Sequence, residues 1–80
     1  MDSSQIDYVD SNSILVINPA GRIRQLYVPF RVQVLQNTST LRKNTWVFVE
    51  EVRAHPVHKI LYRISKAWWQ YDLFRLQVNF

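Results

Sequence analysis

The 80-residue chain is expected to fold as an all-β domain: a small barrel of five or six short antiparallel strands with one short helical turn near Tyr71–Phe74. Three observations carry this expectation. Apolar and polar residues alternate over short runs, most cleanly at Phe30, Val32 and Val34 against Arg31 and Gln33, the period of a half-buried strand. Strand-favouring Val, Ile, Tyr, Phe, Trp and Thr dominate these runs. No segment sustains an apolar repeat at i, i+3, i+4 and i+7 beyond about one turn, so an amphipathic helix has no support. Short strands packed into so short a chain expose many edges, and mutual closure hides them better than a flat sheet.

Residues 1–13 mix Ser, Asp, Asn and Gln with isolated Ile6, Tyr8 and Val9, and are expected to form a mobile acidic arm. Residues 14–80 then form a single small domain. Ile14–Ile17 begins it and ends at Asn18-Pro19-Ala20-Gly21, where proline presets a turn and the chain's single glycine permits positive φ. Arg22–Val28 returns as a second strand until Pro29, which cannot donate to a ladder and so marks an edge or a bend. The strand from Phe30 leads into a polar connection over residues 36–45, anchored by Leu41 and carrying Arg42 and Lys43. Between Thr45 and Arg53, Val47 and Val49 share a face, whereas Val52 joins them only if Glu50-Glu51 bulge and bend the strand. Such a strand can serve two sheets. After Ala54-His55-Pro56, Lys59–Ile64 pairs back across Ser65-Lys66 onto Trp68–Gln70. Tyr71–Phe74 breaks the period, and Phe74, Leu76, Val78 and Phe80 alternate in a closing strand.

Composition limits what such a domain can do. A chain this short buries only roughly 60–65% of its unfolded surface, so its four Phe, four Tyr and three Trp are expected to supply a dense core. It has no cysteine, which removes disulfides and thiolate metal sites and points to an intracellular, cytoplasmic setting. Its longest apolar runs, Ile14–Ile17 and Val47–Val49, fall far short of the roughly 20 residues of a membrane-spanning helix. No signal peptide is visible in the polar, acidic N-terminus, and no membrane partner is expected. The net charge of +4 conceals an asymmetry. Asp2, Asp7 and Asp10 stand alone in the first twelve residues, leaving ten basic and three acidic groups, net +7, in residues 13–80. That excess suits polyanions, acidic proteins or plain solubility.

From Phe30 onward the order of elements resembles a Src-homology-3-like (SH3-like) barrel: a curved strand with Val47 and Val49, a hairpin, the Trp68-Trp69 pair, a helical turn at Tyr71–Phe74 and a short last strand. The resemblance covers roughly residues 30–80 and implies the fold class. Carried over by position, it makes Trp68 and Tyr71 or Phe74 candidates for a ligand groove. The family's paired tyrosines on the opening strand and its acidic loop have no counterpart, so recognition of proline motifs does not come with it. The chain as a whole is similar to short bacterial proteins, a likeness that implies no activity.

Catalytic and metal chemistry find little to work with. His55 and His58 lack further ligands in sequence. Glu50-Glu51 is the one carboxylate pair, and neighbouring strand residues face opposite ways. A phosphate-cradling glycine loop cannot be built with one glycine, and no serine stands in a recognisable relation to a histidine and a carboxylate. No enzyme activity, cofactor or small-molecule substrate is expected. What remains is an alternation of basic and aromatic groups. Trp68 and Trp69 are adjacent on a strand and must point oppositely, so one of them faces outward. Trp and Arg are enriched at interface hot spots, and a binding face around Trp68, Trp69, Tyr71, Arg63 and Arg75 is therefore expected to contact a protein partner or a second copy. The alternative is nucleic acid, held by Arg22, Arg24, Arg31, Arg42, Lys43, Arg63 and Lys66 against phosphates, with rings stacking on bases.

Overall fold

A computed structural model describes residues 5–78 of the chain. It is all-β, with nine short strands and no α-helix among the described residues. In chain order the strands are β1 (Gln5–Val9), β2 (Ser13–Ile17), β3 (Ile23–Tyr27), β4 (Phe30–Val34), β5 (Trp46–Val49), β6 (Glu51–His55), β7 (Lys59–Ile64), β8 (Ala67–Gln70) and β9 (Phe74–Leu76). The helical turn falls where the sequence places it, as a single 3-10 turn at Tyr71–Leu73.

The expected closed barrel of five or six strands is replaced by three antiparallel sheets of three strands, ordered β1-β2-β3, β5-β4-β9 and β6-β7-β8. The reason lies at the corners. The chain leaves the first sheet at Pro29, passes from the second to the third at Glu50, and returns to the second through the 3-10 turn. Pro29 has no N–H to continue a ladder. At Glu50 the backbone turns away from β5, and its N–H donates instead to the carbonyl of Arg63 on β7 (2.8 Å). Both Val49 and Val52 are fully buried, so this break performs the phase reset that the sequence requires.

Residues 5–13 also depart from the sequence expectation of a free arm. Gln5–Val9 pairs with β2, and Ile6 and Val9 pack on the core. Asp10 closes the connection, its Oδ1 accepting from the N–H groups of Asn12 (2.7 Å) and Ser13 (2.8 Å). Composition alone undervalues this segment, because its backbone gains a ladder that no side chain announces. Residues 1–4 lie outside the described residues.

The inward faces of the three sheets meet in one core. Ile14 and Val16 come from β2, Phe30, Val32 and Val34 from β4, and Ile60, Tyr62 and Ile64 from β7, joined by Val49, Val52, Leu41 and Phe74. Tyr62 lies at its centre, edge-on to Phe30 with centroids 5.6 Å apart and tilted against Phe74 at 5.9 Å. Burial, and then the neighbouring Tyr71, push its phenol well above the ordinary tyrosine range. Leu41 anchors the long connection, which is braced by Thr38 Oγ1 accepting from the Leu41 N–H (2.9 Å) and Asn37 Oδ1 accepting from the Lys43 N–H (2.9 Å).

The β7–β8 hairpin turns on Ser65 and Lys66, both left-handed at φ 52° and 66°. This geometry matches strand twist but favours Asn-Gly over Ser-Lys. The double substitution Ser65→Asn, Lys66→Gly is expected to raise stability by about 0.5–1 kcal/mol, or several degrees in thermal midpoint. Calorimetry checks this, and an unchanged or lowered midpoint contradicts it.

Candidate functional site

Register decides which side chains share a face, since directly opposed residues project the same way. In the third sheet, Glu51 opposes Arg63, Arg63 opposes Trp68, and Arg53 opposes Leu61, which opposes Gln70. These residues form its outer face. Trp68 is the outward tryptophan, 37% exposed, and the Arg53 guanidinium stacks over its ring at 4.6 Å. Glu51 stands between Arg53 (3.8 Å) and Arg63 (3.6 Å), so part of this face's positive charge is compensated within the molecule. Trp69 and Tyr71 turn inward and pack against the core, with Trp69 Nε1 donating to the Ile64 carbonyl (3.3 Å). The expected five-residue cluster is thus divided. Trp68 and Arg63 stand together, Trp69 and Tyr71 lie against the core, and Arg75 belongs to another sheet.

That other sheet carries a second aromatic–basic face. On the outside of β5-β4-β9, Arg31 opposes Phe48, and Gln33 lies between Trp46 and Arg75. Trp46 is 43% and Phe48 59% exposed. Arg31 lies over the Trp46 ring at 5.1 Å, while its Nη2 donates to Gln77 Oε1 (2.8 Å), so the guanidinium is held in place from two sides. None of the three strands contains an Asp or Glu. The connection carrying Arg42 and Lys43 leads directly into Trp46 and is tied to β4 by two backbone bonds, Asn44 N–H to the Val34 carbonyl (2.7 Å) and Val34 N–H to the Thr45 carbonyl (2.9 Å). Trp46 and Phe48 were not among the sequence candidates. The signal was present in the same run, because placing Val47 and Val49 inside leaves Trp46 and Phe48 outside.

The remaining expected phosphate contacts are scattered. Arg22 and Arg24 lie on the β2–β3 hairpin and Lys66 on the β7–β8 turn, whereas Arg31 shares the second-sheet face with Arg75. His55 and His58 stack at 4.9 Å, but His55 Nδ1 accepts from the N–H groups of Val57 and His58 (both 3.1 Å), and His58 Nδ1 pairs with Gln70 Nε2. Among the described residues no group of three or more His, Cys, Asp or Glu gathers in a metal-holding arrangement. A cleft of about 720 Å³ opens beside the core, with Tyr62 and Tyr71 in its wall and Lys59 and Arg75 among its lining residues. Trp68 does not line it. No helix among the described residues is long and apolar enough to cross a membrane.

Fold and site together define an all-β protein that presents an aromatic–basic sheet face. No protein-family model matches the chain, and no match was found among curated proteins or solved structures.

Proposed function

We propose that the protein is a non-catalytic binding module whose ligand is single-stranded nucleic acid, held on the outer face of β5-β4-β9. The observation that carries this reading is the pairing of two exposed rings, Trp46 and Phe48, with Arg31 and Arg75 on one face of three strands that contain no Asp or Glu. Two residues along a strand separate the rings by about 7 Å, enough for each to carry its own base. Arg31 and Arg75 then meet phosphates, and Arg42 and Lys43 extend the positive track at the Trp46 end. The Trp68 face fits this role less well, since it offers one outward ring and Glu51 already engages both of its arginines.

The likeness of residues 30–80 to SH3-like barrels remains a reading of the element order. It brings no proline groove with it: Tyr71 and Phe74 line the cleft beside the core, and Trp68 does not. The absence of cysteine supports a cytoplasmic setting.

Titration with labelled single-stranded oligonucleotides at several salt concentrations tests the reading. Affinity is expected to fall steeply with salt, and Arg31→Gln to reduce the slope of log K against log salt by about 0.7, the contribution of one single-strand phosphate. Absence of binding at low salt sinks the proposal. Salt-insensitive binding of a protein through the same face would place the module among protein-binding domains instead.

A further inference from the structure

β3 is the most exposed strand of the fold: of its five residues only Leu26 is half-buried, and the strand is paired on one side only. Its free edge can be read from the ladder. The Asn18 N–H donates to the Arg22 carbonyl (3.0 Å) and the Val28 N–H to the Asn12 carbonyl (2.8 Å) at the two ends of an unbroken β2–β3 register. By antiparallel alternation, Arg24 and Leu26 direct their backbone groups to β2, whereas Ile23, Gln25 and Tyr27 direct theirs away from the sheet. The same three residues project from the sheet's outer face, with Ile23 63% and Tyr27 64% exposed. β1, the opposite edge of this sheet, is interrupted by an irregularity between Ile6 and Tyr8. Within β3 there is no bulge, proline or lysine, the usual devices that discourage pairing.

The strand is complementary to itself. Folded about Gln25, the sequence Ile23-Arg24-Gln25-Leu26-Tyr27 sets Ile23 opposite Tyr27, Arg24 opposite Leu26 and Gln25 opposite Gln25. A β-branched residue against an aromatic is a favourable cross-strand pair, and no like charges stand opposite one another. All three residues with outward backbone groups are then used, each opposed pair exchanging two hydrogen bonds. Neighbouring registers do worse. Centring on Arg24 sets two arginines face to face, and centring on Leu26 sets Ile23 against Pro29, which has no N–H to give.

We propose that a second copy of this chain pairs antiparallel along β3 about a two-fold axis at Gln25, joining two three-stranded sheets into one of six strands. The contact is isologous and closed, so it consumes both exposed edges rather than propagating into a fibre. It is also small, which places its affinity in a range where the protein concentration decides the state.

Sedimentation velocity on the full chain, from micromolar to submillimolar concentration, tests the proposal. The expected result is a concentration-dependent doubling of mass, and a monomer throughout overturns it. Gln25→Pro removes an outward N–H that β2 does not use, together with the Gln25 Nε2 hydrogen bond to Ser13 Oγ (3.1 Å), so it is expected to abolish the dimer and lower stability somewhat while leaving the folded circular dichroism spectrum and Trp46-dependent oligonucleotide binding unchanged. A Gln25→Pro protein that folds and still dimerises overturns the edge. Register is read from two double variants. Ile23→Lys with Tyr27→Lys opposes like charges and is expected to be monomeric, whereas Ile23→Glu with Tyr27→Lys opposes unlike charges and is expected to dimerise. Equal behaviour of the two overturns the two-fold at Gln25. The β5-β4-β9 face takes no part, so this proposal and the nucleic-acid reading fail separately.

Discussion

Replacing Trp46 and Phe48 together by alanine is expected to weaken single-stranded oligonucleotide binding by about 30-fold or more while leaving the fold intact. Base stacking contributes about 1–3 kcal/mol per ring, so two rings together account for at least about 2 kcal/mol. Both side chains lie outside the core, Trp46 against Arg31 and Phe48 opposite Arg31 on the neighbouring strand. Their removal therefore leaves no cavity, and thermal stability is expected to shift little. Trp68→Ala is the control: it removes an outward ring from a different sheet and is expected to leave oligonucleotide affinity unchanged. Fluorescence anisotropy measures all three. If Trp68→Ala weakens binding and the Trp46/Phe48 variant does not, the interface belongs to the third sheet.

The largest effect on stability is expected at Tyr62. Truncation to alanine removes a side chain 1% exposed that touches Phe30 and Phe74, at a cost of about 3–5 kcal/mol for an aromatic core position. Small domains have only about 5–15 kcal/mol in total, so this variant is expected to lose a large fraction of the protein's stability, read as a fall of many degrees in the thermal midpoint. Tyr62→Phe keeps the ring and isolates the hydroxyl. The direction of its pH effect follows from the raised phenol pKa. Below about pH 10 the phenol is neutral in both folded and unfolded chains and contributes no pH dependence. Above that, the unfolded chain ionises while the buried phenol stays protonated, and stability falls until the folded pKa is passed. The wild-type midpoint is thus expected to drop more steeply than that of Tyr62→Phe above about pH 10. Parallel alkaline profiles would show that the Tyr62 phenol ionises in the folded protein as it does in the unfolded one.

Particular residues show how much of this was legible in the sequence. Val49 and Val52 demand a phase reset, which locates the Glu50 corner. Pro29 locates another, and the period break at Tyr71–Leu73 a third. Those local rules describe where strands stop but not which strands pair across the corners. Three sheets in place of one barrel follow from long-range register, which no short window contains. The outward turn of one tryptophan in the 68–69 pair was certain from alternation; that Trp68 is the outward one depends on Tyr62 and Ile64 defining the inner face of β7. Nearness in the chain places Arg75 with Trp68, yet the 3-10 turn between them redirects β9 to β4. Gln5–Val9 is illegible for a different reason: a strand held by backbone bonds needs few apolar side chains, and composition counts only side chains.

The pairing of β4 with β9 is the one ladder among the described residues that joins strands distant in the chain. Every other pairing connects consecutive strands across a short connection or the braced 36–45 segment, so its loop-closure entropy is small. Low contact order in the hairpins leads us to expect that they form early and that the pairing of Phe74–Leu76 with Val32–Val34 comes later. That late step also lays Arg75 beside Gln33. The aromatic–basic face is therefore completed only when β9 has paired, and a chain truncated before Phe74 is expected to present Trp46 and Phe48 without Arg75 beside Gln33.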